Sequence, residues 1–181
     1  LGDGRTLVHP ALQIRPNDRI ALVGANGLGK STLLRHLLPQ VLVPEERLLN
    51  IPQEISEDES RRIHEELKRL DDVPLGRVMT LVSRLGSRPA RLLASTTPSP
   101  GEIRKILLAR GVARGPHLIV MDEPTNHLDL PSIECLEAAL AEAPCALLLV
   151  SHDARFLSKL TRTRWKLTPT TPTQIELNVV L

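Results

Sequence analysis

The sequence predicts an α/β fold with a parallel core sheet, antiparallel edge strands and an inserted helical subdomain. Three observations predict it. The apolar runs at 20–23, 118–121 and 146–150 do not alternate with polar residues, as in strands buried on both faces of a parallel sheet. The first two lead into helical patterns, and strand–loop–helix repetition builds such sheets. Between them, residues 54–98 show helical spacing and then a proline-rich stretch.

Taken in order, residues 1–19 are rich in Thr and Val with 162–181, and both segments read as edge strands. After the run at 20–23, residues 31–38 carry Leu33, Leu34, Leu37 and Leu38, a helix that Pro39 ends. The stretch SEDESRRIHEELKRL spaces Ile63, Leu67 and Leu70 as one helical face. Its acids cluster early, where the helix dipole favours them, and Ser56 is the expected cap. A second helix is expected over 75–85, and GSRPARLLASTTPSP reads as a loop. SPGEIRKILLAR opens a helix with Ile103, Ile106 and Leu107 facing inward. Pro131 and Ser132 start another, with Ile133, Leu136 and Leu140 on its apolar face and Glu134 and Glu137 off it. The expected division is one domain, with a core of 1–53 and 101–181 and a helical subdomain of about 54–100.

The 181 residues suffice for one sizeable core. No apolar run approaches the ~20 residues that cross a bilayer, and no signal-peptide pattern opens the chain. A cytoplasmic protein is expected. Opening on Leu1 rather than Met, the chain reads as a fragment or processed form. The net charge of +2 does not argue for nucleic acid by itself. Cys135 and Cys145 lack CxxC spacing and read as buried reduced thiols. Phe156 and Trp165 are the aromatics of the sequence.

GANGLGKST matches G-x-x-x-x-G-K-[ST] between a strand and a helix, the context a phosphate cradle requires. Gly24, Ala25, Asn26, Gly27, Leu28, Gly29, Lys30, Ser31 and Thr32 are therefore the expected phosphate-binding loop, which the resemblance given below implies is ATP-binding. Its glycines let backbone N–H groups wrap phosphates, and Lys30 places a cation between the terminal ones. Ser31 offers its hydroxyl to Mg²⁺. In MDEPTNHLDL, Asp122 ends a strand and is the expected second Mg²⁺ holder. Glu123 is then available to accept a proton from the attacking water. A calcium loop is excluded by spacing, and zinc by the absence of ligand spacing around His127 and the cysteines. His127 reads as a loop residue.

GTPases are excluded because no N-K-x-D occurs. Small-molecule kinases stay open on the cradle alone. Ser99 and Gly101 at a helix start form a second phosphate-binding device, and His152 closes the third apolar run within reach of a γ-phosphate.

This order of motifs resembles the nucleotide-binding domain of the ABC ATPases, a P-loop NTPase family. GANGLGKS looks like Walker A, Gln53 in IPQE like the Q-loop, and SPGE like the signature. LIVMDE looks like Walker B, NHLD like the D-loop and His152 like the switch histidine. DEPTNHLD is similar to the ABC-F subfamily, whose members mostly act on ribosomes. The resemblance implies an Mg-dependent ATPase, weak or inactive as a single domain. Gln53 would join Ser31 and Asp122 at Mg²⁺ and act with Glu123 and His152 in catalysis. Ser99, Gly101 and Glu102 would touch ATP held by a second nucleotide-binding domain in a head-to-tail pair, with Asp129 at the interface. The chain would be the second, C-terminal ATPase domain of an ABC-F protein in translation or antibiotic resistance, with the ribosome as partner and no stable membrane insertion. The alternatives are the ATPase subunit of an ABC membrane transporter and a small-molecule kinase. Three features depart from the pattern: Pro98 and Pro100 flank Ser99, and residues 1–23 carry no aromatic to stack on adenine. Arg155, Lys159, Arg162, Arg164 and Lys166 surround Trp165 in a stretch without acids that suits contact with RNA phosphates.

Overall fold

The computed structural model describes residues 4–126 and 128–180. His127 lies outside the described residues. One seven-stranded sheet, ordered β1-β7-β6-β2-β5-β4-β3, organises the chain. Its strands are β1 (Thr6–Val8), β2 (Arg19–Val23), β3 (Leu48–Ile51), β4 (Leu118–Asp122), β5 (Ala146–Val150), β6 (Thr163–Thr171) and β7 (Gln174–Val180). The helices are α1 (Lys30–Leu37), α2 (Glu57–Lys68), α3 (Asp72–Arg84), α4 (Pro89–Ala94), α5 (Pro100–Ala113), α6 (Leu130–Glu142) and α7 (Ala154–Leu160).

The three apolar runs form the middle of the sheet. β2 pairs in parallel with β5, and β5 with β4. Alternate residues point to opposite faces, so each run feeds two cores. Ala21, Ile119, Met121, Leu147 and Leu149 pack with α2, α3, α5, α6 and α7 on one face. Ile20, Leu22, Val120, Leu148 and Val150 pack against Leu33 and Leu34 of α1 and Trp165 of β6 on the other. That two-sided burial explains why these strands show no polar alternation.

The antiparallel pairing expected of the chain's ends is carried by β6 and β7. These two lie inside the sheet, and the short β1 forms the rim, parallel to β7. β3, the opposite rim, has no counterpart in the sequence reading. Charged residues 45–47 precede it, and only four residues pair, with β4. A short helix, α4, stands in the stretch read as a loop. Pro89 occupies its first turn, where a missing N–H costs nothing, and Leu92 is fully buried. Nε2 of the buried His64 in α2 lies 3.1 Å from the Leu92 carbonyl, which ties α4 to α2.

Two helix faces differ in detail from the pattern. In α5, Ile103, Ile106 and Leu108 are buried and Leu107 is partly so, because α2, α3 and β3 surround this helix. In α6, Glu137 lies off the apolar face by its spacing but is buried, where Lys159 of α7 pairs with it. A cation on the neighbouring helix, invisible to the spacing within α6, permits that burial. The cap at Ser56 forms as expected, accepting from the Glu59 N–H at 3.2 Å. Cys145 is buried, which raises its thiol pKa despite the opposing effect of Arg19, and Cys135 is half-buried. Among the described residues, no helix is long and apolar enough to cross a membrane.

Candidate nucleotide site

Parallel strands bring their carboxyl ends to one rim of a sheet, and ligands bind there. The cradle follows β2, Gln53 follows β3, Asp122 closes β4 with Glu123 next to it, and His152 follows β5. Register sets Asp122 beside Val150, and the Glu123 N–H donates to the Val150 carbonyl at 2.8 Å. A cleft of ≈ 680 Å³ results. Asn26, Gly27, Gly29, Lys30, Ser31, Thr32, Gln53, Asp122, Glu123 and His152 line it, together with Arg5 and Asn126.

The cradle's conformation requires its glycines. Gly27 and Gly29 have φ of 76° and 85°, a region that side chains disfavour. A Cβ on Gly27 would meet no protein atom within 4 Å, so the loop presents open backbone to a ligand. Gly24 is different: a Cβ there would lie 3.0 Å from Leu167 Cβ, so this glycine packs the loop onto β6. Leu28 is buried and anchors the loop in the core. Lys30 is buried too, and its Nζ donates to the carbonyls of Gly24 and Ala25 at 2.9 and 3.2 Å. His152 Nε2 stands 3.4 Å from Lys30 Nζ and 3.4 Å from Glu123 Oε1. A lone pair at Nε2 accepts from the lysine, and a proton there donates to the carboxylate. One proton thus decides which neighbour the imidazole serves.

Ser31 Oγ donates to Asp122 Oδ2 at 2.6 Å. With the Gln53 amide in the same cleft, the donor set is hydroxyl, carboxylate and carboxamide oxygen, which suits Mg²⁺. Among the described residues no group of three or more His, Cys, Asp or Glu could cage a metal.

Glu123 has φ of 49°, a rare conformation for a side-chain-bearing residue. Its carbonyl accepts from the Asn126 N–H at 3.2 Å and from Arg104 Nη1 at 2.7 Å. Arg104 is buried; desolvation lowers its pKa while the charges of Asp122 and Glu123 oppose the shift.

Ser99, Gly101, Glu102 and Asp129 line no part of this cleft. Ser99 caps α5, where its Oγ accepts from the Glu102 N–H at 3.3 Å. The Glu102 carboxylate accepts from the Ser99 N–H at 2.8 Å, completing a capping box. Pro100 sits within the first helical turn, which accommodates a residue without an N–H. Asp129 caps α6, accepting from the Ser132 N–H at 3.1 Å. Hydrogen bonding from Ser132, chiefly, holds its carboxyl below the usual range.

The sequence pattern does not single out Arg5, Arg104 or Asn126. Arg5 reaches the cleft only because β1 docks on β7, and its guanidinium donates to the Gly27 carbonyl. Arg104 did leave a signal, a charge between Ile103 and Ile106 on an otherwise apolar face.

The profile of the ABC transporter family matches residues 7–126. The chain belongs to that family. Among its relatives, the zinc import ATP-binding protein ZnuC of Paracoccus denitrificans is 34% identical over 168 residues, covering 84% of this chain and 65% of that protein. The ribosome protection protein VmlR of Bacillus subtilis is 35% identical over 173 residues, 88% of this chain and 31% of that one. ABC transporter F family member 2 of Dictyostelium discoideum is 31% identical over 169 residues, 85% and 28% of the two chains. The solved assembly of ribosome-bound archaeal Pelota and ABCE1 contains a chain that superposes with a TM-score of 0.77 at 20% identity, covering 98% of this chain and 32% of that one. This last likeness concerns the fold. The chain thus spans less than two thirds of each of these relatives. It is an ATPase domain of the ABC family, with ABC-F proteins among its relatives, as the wording of residues 122–129 implies.

Proposed function

We propose that this domain hydrolyses ATP as one half of a head-to-tail pair within an ABC-F protein that acts on the ribosome from the cytoplasm. One observation carries the reading. The cradle, the Asp122 and Glu123 carboxylates, Gln53 and His152 converge on one cleft, while the Ser99–Gly101 helix start lies outside it. A nucleotide in the cleft therefore leaves the second phosphate device free for a nucleotide held by another domain.

In this scheme Lys30 exchanges its bonds to the Gly24 and Ala25 carbonyls for phosphate oxygens. Ser31, Asp122 and Gln53 would hold Mg²⁺, whose charge would neutralise that developing on the phosphates. Glu123 accepts at Oε1 the proton of the water that attacks the γ-phosphorus as the bond to the leaving ADP breaks. His152 directs Nε2 at a γ-phosphate oxygen. Ser99, Gly101 and Glu102 complete the partner's site, and Asp129 stands at the interface. The unit 54–100 forms a helical subdomain that Gln53 links to the cleft. Alone, the domain binds Mg-ATP weakly and turns it over slowly. The exposed Arg162, just before β6, and the exposed Arg164 and Lys166 within it face RNA phosphates.

Glu123→Gln in the full-length protein is expected to trap an ATP-bound pair and to lower turnover at least ~100-fold. Normal turnover would remove Glu123 as the base. A second reading, the ATPase subunit of a membrane transporter, is favoured by the zinc-import relative. Co-purification separates the two: ribosomes accompany the first, an integral membrane protein the second.

A further inference from the structure

We infer that Arg104 is a positioning residue that ties the start of α5 to the two cleft loops, so that Gln53 and Glu123 follow the helix that carries Ser99 and Gly101. The inference rests on the paired-nucleotide reading above. Arg104 Nη1 donates to the Glu123 carbonyl at 2.7 Å, and Nη2 donates to the Gln53 carbonyl at 2.6 Å and to that of Pro52 at 3.4 Å. One planar fork thus joins loops that leave two different strands, β3 and β4. The residue is 5% exposed, so these carbonyls are not exchanged for water at little cost.

Glu123 needs such a hold. Its φ of 49° is strained for a side-chain-bearing residue, and the conformation persists only where surrounding bonds over-determine it. Arg104 supplies the bond at its carbonyl that does not come from the local turn. Arg104 also lies five positions after Ser99, roughly 7–8 Å along the helix at 1.5 Å per residue. A displacement of the α5 start on meeting a partner's phosphate is therefore transmitted to the general base and to Gln53 through a rigid helix and a bidentate fork. Lysine cannot replace the fork, because its ammonium is a point charge on a flexible stem.

The test uses Arg104→Lys and Arg104→Gln in the full-length protein, read by thermal denaturation, by titration with a fluorescent ATP analogue and by steady-state turnover. The expected result is a folded Arg104→Lys protein whose nucleotide Kd stays within about 3-fold while kcat falls at least ~10-fold, a split that a merely structural role does not give. Wild-type kcat in a folded variant overturns the inference, and so does a loss confined to KM or to stability. Should neither variant fold, hydrogen exchange on the Glu123→Gln pair decides. Adding Ser99→Ala is expected to remove ATP-induced protection of amides 53–54 and 123, and unchanged protection there overturns the inference. Failure of the underlying reading looks different: turnover of the Arg104-intact protein would then be indifferent to both Ser99→Ala and Glu123→Gln.

Discussion

Gly111 lies near the end of α5, where the helix crosses β3 at close range. A Cβ built on it would stand 2.4 Å from both methyls of Leu49 and 2.8 Å from its Cγ. Ordinary carbon contacts are about 3.5–4.0 Å, so Leu49 or the helix must move by roughly 1 Å. Overpacking of this kind costs about 1–3 kcal/mol. Alanine gains about 1 kcal/mol over glycine in helix propensity, so Gly111→Ala is expected to destabilise by about 0–2 kcal/mol. The displaced strand ends two residues before Gln53, so kcat is expected to fall more than nucleotide affinity. Leu49→Ala alone leaves a cavity worth about 2–5 kcal/mol, but the double variant places a methyl where the leucine was. A double-mutant cycle by urea denaturation is therefore expected to return a favourable coupling of about 1–2 kcal/mol. Additive effects would refute the claim that close approach of α5 to β3 is what glycine provides.

Three further outcomes follow from the same geometry. Lys159→Ala leaves the buried Glu137 unpaired; because Lys159 is 44% exposed and water reaches the pair, the cost is about 1–3 kcal/mol in chemical denaturation, and Glu137→Leu with Lys159→Met recovers most of it. Asp129 has a folded pKa below its unfolded value, so its cap on α6 is fully present above the unfolded pKa and lost as pH falls through the lowered one. The stability gap between wild type and Asp129→Ala is expected to close in acid, and a gap independent of pH would contradict the assignment. Arg162→Glu with Arg164→Glu is expected to weaken ribosome binding and flatten its salt dependence by about two charges, and unchanged affinity would end the proposed RNA contact.

Much of this fold was legible because its information is local. The runs behind β2, β4 and β5 are buried on both faces, and that condition leaves a signature in one dimension. The cradle was legible for a related reason: its spacing encodes a loop whose φ values of 76° and 85° demand glycine. What escaped depends on partners distant in sequence. β3 is a strand because β4 pairs with it, and Glu137 is buried because Lys159 meets it from another helix. Arg5 enters the cleft through β1 docking on a strand some 170 residues later, a pairing that no local pattern announces. α4 was hidden by composition, since its flanking Ser, Thr and Pro residues read as loop and only the buried Leu92 speaks for a helix. Of the candidate site residues, those of the cleft converge, whereas Ser99 and Glu102 bond each other at the start of α5. A capping box and a phosphate device use the same atoms, so spacing alone does not separate them.

The most direct test of the account is the distance from Ser99 Oγ to the nearest phosphate oxygen in the ATP-loaded, Glu123→Gln full-length protein. The account predicts hydrogen-bond range, about 2.5–3.0 Å, to a nucleotide held in the cradle of the other domain. A closed pair in which the α5 start faces away from every phosphate would contradict it.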